Sequence, residues 1–327
     1  MTASTPGQRF HTLDALRGVA AVAVMLFHGG ADAPLVTARG YLAADLFFAL
    51  SGFVLAHAYE KKLRDGLSPL NFLRARLARI YPLFLLGAVT GYLLWPGSLL
   101  VLLMIPTPSP GGMLFSNNVP LWSLLFELIA NLAWALLAVR LRLRWLALLA
   151  ASFAALFFPA AQAAGHADLG AFWATALPGL ARTCFSFTMG LILFRLFERY
   201  GKVQVPTARG WLLLPLLLAI LTPATSNPAL ADIATLCLAL PLIVWLGARW
   251  QVRGGWMADR IGGISFPLYC IHAPILALGR GSPDLVALIS AGLIAAALLL
   301  DRFYDRPVQG WLRATRQTAC RDRAALA

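Results

Sequence analysis

Apolar runs of about twenty residues, separated by short polar turns, dominate this chain. They lie near 13–30, 41–59, 80–95, 120–139, 145–163, 172–194, 210–222, 229–248, 264–279 and 285–303. An α-helix rises about 1.5 Å per residue, so roughly twenty apolar residues span a ~30 Å hydrocarbon layer. The pattern predicts ten membrane-spanning helices, the seventh of them short. Residues 96–120 break it with Pro, Gly, Ser and Asn, and the apolar run at 99–105 is too short to cross, so this segment is expected to be interfacial or re-entrant. A basic connector, EKKLRDGLSPLNFLRARLAR, joins the second and third runs. The tail after the tenth run is amphipathic and basic and is expected to lie on the membrane surface. The expected organisation is an N-terminal segment at 1–12, a transmembrane domain at 13–303 and a basic tail at 304–327. The fold class is an all-α polytopic membrane helical bundle.

Composition agrees: 60% of the 327 residues are hydrophobic and 13% are charged, which excludes an ordinary soluble domain. The net charge of +13 raises the question of nucleic acid, but the distribution answers it. With ten crossings, 23 of the 27 Lys and Arg residues fall in the turns and tail on one side. That asymmetry sets topology, so both termini are expected in the cytoplasm, the protein in the cytoplasmic (inner) membrane, and no nucleic-acid partner. Cys184, Cys237, Cys270 and Cys320 include no CxxC pair and read as packing residues, with no metal site or disulfide framework. No small-residue cleavage site follows the first apolar run, so that run is not read as a signal peptide.

The first run, LDALRGVAAVAVMLFHG, carries Arg17 and His28 eleven residues apart. Eleven steps of about 100° place both on one helix face, about 16 Å apart along the axis. Ionisable groups inside a membrane mark a path or a site, although Arg17 can also snorkel and His28 can end the helix at the interface. The alternating direction of the helices gives the other polar groups a depth. Asp45, Glu127, His28 and His272 fall in the middle to outer layer, and Arg17 with Arg74, Arg76 and Arg79 in the inner layer. Asp45 is a catalytic candidate or a helix cap; Ser123 is a site residue or bonds its own backbone; His272 is a site residue or a satisfied core histidine. Glu127, a carboxylate in an apolar helix, needs a partner. Arg182, mid-span, has Glu127 or an acidic ligand as its expected partner. His57 and His166 sit at span edges and read as bystanders.

Five segments in order resemble one family: LDALRGVAAVAVMLFHG, DLFFALSGF at 45–53, FLRARLARIYP at 72–82, NVPLWSLLFEL at 118–128 and ISFPLYCIHAPI at 264–275. Together the chain resembles the acyltransferase 3 family, integral membrane proteins that O-acylate sugars and glycans. The resemblance implies essential roles for Arg17 and His28, an RxxR motif at Arg76 and Arg79, and a WSL…E motif at Trp122, Ser123 and Glu127. Family members often place a Glu two residues before a Pro near the tenth helix; here Asp305 precedes Pro307. Larger members carry a soluble domain after the helices, which implies a separate periplasmic partner for this chain.

The expected activity is transfer of an acyl group, acetyl in the first instance, from cytoplasmic acyl-CoA to a hydroxyl of a glycan or lipid-linked sugar on the outer side. Acyl-CoA is a donor substrate, with no resident cofactor. Arg17, Arg76 and Arg79 would hold its phosphates, since guanidinium groups make planar contacts with them. His28 would take the acceptor's proton, oriented by Asp45 or Glu127. Trp122, Ser123 and His272 complete the expected substrate-binding set, and residues 96–120 are the expected acceptor-recognition element. The alternative from the residues alone is a proton-coupled transporter or flippase of a sugar-like or lipid substrate, which also needs acids and histidines at mid-depth.

Overall fold

Helix chemistry and the polar turns together decide where each span starts and stops. The computed structural model describes residues 9–108, 112–201, 204–223, 225–252 and 255–325, with side chains as far as 315. The helices are α1 (His11–Gly29), α2 (Ala43–Arg64), α3 (Pro69–Leu94), α4 (Leu121–Ala133), α5 (Leu143–Ala164), α6 (Ala176–Leu196) and α7 (Arg209–Leu221). They continue with α8 (Pro228–Ala234), α9 (Leu240–Arg249), α10 (Gly255–Gly263), α11 (Ser265–Leu276), α12 (Pro283–Leu300) and α13 (Arg306–Ala325). Among the described residues, nine helical segments are long and apolar enough to cross a membrane.

The shorter α7 packs beside α1. Near its start, Gly210 packs against Trp250 and Thr12; at its end the Leu221 carbonyl accepts from the Arg39 amide, in the segment that folds back against Ala23 and Phe27 of α1. The hydropathy pattern predicts ten spans, the seventh short; nine reach spanning length among the described residues, and α7, at 13 residues, is the short one.

Three boundaries differ from expectation. The basic connector is mostly helix: only residues 65–68 separate α2 from α3. Its Lys, Arg, Leu and Ala favour helix, and Pro69 occupies a first-turn position where its missing N–H costs nothing. The ninth run, expected at 264–279, is preceded by α10, which meets α11 at Ile264, so the helical segment starts earlier, at Gly255. The tenth passes through a π-helical turn, Asp301–Asp305, into α13, so the expected boundary at 303/304 falls inside that turn. A two-residue parallel pairing of β1 (Val205–Pro206) with β2 (Trp250–Gln251) was also not expected. It is tied to the start of α1, where Thr12 Oγ1 donates to the Trp250 carbonyl and accepts from Val252 N at 3.0 Å.

The core pairing is α2 on α6. Gly52 faces the Phe187 carbonyl and Gly190 faces the Ala49 carbonyl so closely that a Cβ at either would overlap backbone. Small residues let membrane helices approach in this way, trading side-chain bulk for backbone contact. The 96–120 segment packs down onto α3 and α11. Asn118 Nδ2 donates to the carbonyls of Gly87 (3.0 Å) and Cys270 (2.7 Å), and Tyr81 donates to Leu102 O (2.9 Å). Residues 109–111 of that segment, and the side chain of Cys320, lie outside the described residues.

Candidate active site

Between α1, α2, α3, α4 and α11 lies a cavity of about 810 Å³, its open mouth included. Its polar lining is Arg17, Ser51, Arg76, Arg79, Ser123, Glu127, Ser265 and Tyr269, and the remainder is apolar, largely Phe47, Phe48, Phe266 and leucines. Five separate stretches of sequence thus supply one chamber.

The arginines are not equivalent. Arg76 Nη2 donates to Glu127 Oε1 at 3.0 Å, and Ser51 Oγ donates to the same oxygen at 2.6 Å. Asn131, with its amide oxygen turned towards Arg76 Nε (3.2 Å), completes that cluster. Arg79 Nη1 bonds both carboxylate oxygens of Asp305, at 2.6 and 2.8 Å. The π-helical turn presents Asp305, and π turns recur where a helix must aim a functional side chain. Arg17 makes no hydrogen bond or ion pair with any described residue, so its charge is open to a ligand in the cavity.

At the other end of the cavity, Ser123 Oγ donates to Pro120 O at 2.9 Å and lies 2.6 Å from the Tyr269 hydroxyl. Ser123 does bond its own backbone, and it also meets a partner on α11. The Tyr269 ring lies 5.8 Å from that of His272, which lies 5.0 Å from His28. His28 Nδ1 is 3.2 Å from His272 Nε2 and 2.9 Å from Val24 O. His28 and His272 are therefore neighbours on α1 and α11.

The structure separates other candidates from this group. Asp45, expected to orient His28, is fully buried and committed elsewhere. It takes three bonds from Arg182, the shortest 2.5 Å, and one from Ser186 at 2.9 Å. Arg182, whose partner the sequence left open, therefore pairs with Asp45 and not with Glu127. Glu127, the other expected orienter of His28, spends its bonds on Ser51 and Arg76. Trp122 packs between Phe48 and Phe126, a wall and not part of the cavity lining. His57 packs on Phe10 and Phe194. Ser51 and Tyr269 were missed by sequence reasoning. Tyr269 had a usable signal, since it precedes His272 by three residues and so shares its helix face.

The chamber is cationic at its arginine end, and the histidine pair lies behind Tyr269 outside its lining. Comparison with known proteins supplies the chemistry. The model of the acyltransferase 3 family, described as an acyltransferase domain, matches residues 10–300. The chain is 30% identical to acyltransferase MdmB of Streptomyces mycarofaciens over 89% of its own length and 87% of the relative's. It is 41% identical over 160 residues to a Rhizobium radiobacter protein described as protein 2 in picA locus, across 40% of this chain and 83% of that one. No solved structure matches. The match covers the five segments and sets the transporter reading aside. The chain belongs to the acyltransferase 3 family and is a multi-pass membrane O-acyltransferase.

Proposed function

We propose that this enzyme moves an acyl group, acetyl in the first instance, from acyl-CoA entering at the arginine-lined end to a hydroxyl of a glycan or lipid-linked sugar arriving at the His28 end. The observation that carries the reading is the shared cavity: Arg17, which feels Asp14 and Glu127 electrostatically but makes no hydrogen bond or ion-pair contact among the described residues, opens into the same chamber as Ser123 and Tyr269. Arg76 and Arg79 add positive charge already balanced by Glu127 and Asp305, so they position the donor's phosphates more than they attract them. Arg17 and His28 are about 16 Å apart along α1, comparable with an extended pantetheine arm.

In the transfer step, the acceptor O–H proton passes to the His28 imidazole as the oxygen attacks the thioester carbonyl. The C–S bond then breaks, and the departing CoA thiolate takes the proton from the imidazolium. The net exchange is an acyl ester for a thiol, with the histidine unchanged.

The acceptor is recognised at the His28 end, where residues 96–120 remain the proposed element. A second pocket of about 670 Å³ at this end is lined by Phe27, Arg39, Tyr41, His166 and Asp168. Phe27 touches both Tyr41 and His28 (ring centroids 5.3 Å in each case), so a sugar seated there lies next to the base. Placement of both termini and the arginine end in the cytoplasm follows from the positive-side bias.

The test is transfer of label from radiolabelled acetyl-CoA into lipid and glycan fractions of membranes holding the protein, beside His28→Ala at equal levels. The reading expects label only with the unmodified protein. Undiminished label with His28→Ala removes His28 from the chemistry, and no label from several acyl-CoA donors overturns the donor assignment.

A further inference from the structure

The hydrogen bonds around the two histidines define where their protons sit. Carbonyl oxygens only accept. His272 Nδ1 lies 3.0 Å from Leu268 O and 2.9 Å from Tyr269 O, so that nitrogen carries the hydrogen and donates. In the neutral ring the Nε2 atom is then an acceptor. It faces His28 Nδ1 at 3.2 Å, and that nitrogen also faces Val24 O at 2.9 Å. Both neighbours of His28 Nδ1 are acceptors, so it too must carry hydrogen. A protonated His272 would direct an N–H at His28 Nδ1, leaving that nitrogen's lone pair against Val24 O; the geometry fits the neutral ring alone.

We propose that His272 is a positioning residue that, together with the Val24 carbonyl, orients His28 in the Nδ1–H tautomer and steadies its cation, leaving His28 Nε2 as the proton acceptor in acyl transfer. This rests on the reading of His28 as the base and deepens it. His272 takes the place usually filled by a carboxylate, which fixes a catalytic histidine's tautomer and steadies its cation. The two carboxylates expected to orient His28 are held elsewhere, Asp45 by Arg182 and Glu127 by Arg76, and Asp168, whose charge reaches His28, makes no hydrogen bond to it. His272 is itself anchored by two backbone carbonyls and fully buried, so its Nε2 is a fixed acceptor. When His28 accepts a proton on Nε2, its Nδ1–H becomes a stronger donor, and the bond to His272 strengthens with it.

The experiment compares His272→Leu and His272→Gln with the unmodified enzyme and with His28→Ala, by steady-state kinetics in both substrates. Leucine fills the space without an acceptor, whereas the glutamine amide oxygen reaches the position of Nε2. The expected result is a loss in kcat of about 100-fold or more for leucine, since a wrong tautomer in a hydrolytic triad costs about 10⁴-fold. KM for acyl-CoA should stay within a factor of about three, and glutamine should recover at least tenfold over leucine. A leucine variant with near-normal kcat, or glutamine no better than leucine, overturns the proposal while leaving His28 as the base. An active His28→Ala variant overturns the reading beneath it. ¹⁵N magnetic resonance of histidine-labelled unmodified protein and His272→Leu gives a readout independent of activity. His28 protonated on Nδ1, with a ¹⁵N shift that moves in His272→Leu, supports the assignment; His28 protonated on Nε2, or a shift unchanged in His272→Leu, overturns it.

Discussion

At the scale of the residue, charge compensation separates groups that look alike in sequence. Arg17, Arg76 and Arg79 all line one cavity, yet only Arg17 lacks a hydrogen-bonded counter-charge among the described residues. Hydrogen bonds to charged groups contribute about 1.5–3 kcal/mol. Arg17→Gln is therefore expected to raise KM for acyl-CoA by about tenfold or more, with kcat changed less than about threefold, in initial-rate measurements on purified enzyme. An unchanged KM would remove Arg17 from donor binding. Asp168 makes a residue-scale prediction at the opposite end. Its side chain is 42% exposed in the Phe27–Tyr41 pocket, with Arg182 no closer than 3.9 Å. Asp168→Asn should raise KM for the sugar acceptor and leave KM for acyl-CoA unaltered. Asp45 shows why residue type alone misleads: an aspartate in a membrane helix looks catalytic until its partner is seen.

At the scale of the element, two devices set the site's shape. The first is the close approach of α2 to α6 at Gly52 and Gly190, which places Ser51 where it can donate to Glu127. Gly190→Ala inserts a methyl group against the Ala49 carbonyl, and overpacking of this kind costs about 1–3 kcal/mol. A lower midpoint in thermal unfolding of the detergent-solubilised protein, beside a control such as Gly292→Ala that meets open space, is the expected outcome. The second device is the π-helical turn Asp301–Asp305, which delivers Asp305 to Arg79. The spacing of Asp305 from Pro307 was visible in the sequence, but a π turn leaves no clear mark in hydropathy, so the pairing was not. Hydropathy also undercounted α2 and α3, because basic residues that lower it are still good helix formers.

At the scale of the whole molecule, buried ion pairs lock helices that are distant in sequence. Arg182–Asp45 joins α6 to α2, and both side chains are fully buried. Removing one partner strands a charge and destabilises by about 3–5 kcal/mol, whereas replacing both with apolar residues is often near neutral. Arg182→Ala is expected to abolish detergent-stable protein, and Asp45→Leu with Arg182→Leu to recover much of it by size-exclusion chromatography. Orientation gives a second prediction at this scale. In a background with the native cysteines replaced, Gly281→Cys should react with an impermeant maleimide from outside intact cells, and Gly66→Cys only after permeabilisation; the reverse pattern would invert the topology.

The sequence by itself determined the helical membrane bundle, the bias of basic residues towards alternate turns, the family and most of the polar residues that line the chamber. These follow from hydropathy, charge bias and local motifs, all of which act along the chain. Partners were decided by tertiary structure alone: Glu127 with Arg76 and Ser51, Asp305 with Arg79, Asp45 with Arg182, and His28 with His272. The physical reason is that a buried polar group's role depends on which complementary group lies within about 3 Å. Helix packing between elements far apart in sequence sets that distance, and no one-dimensional pattern records it.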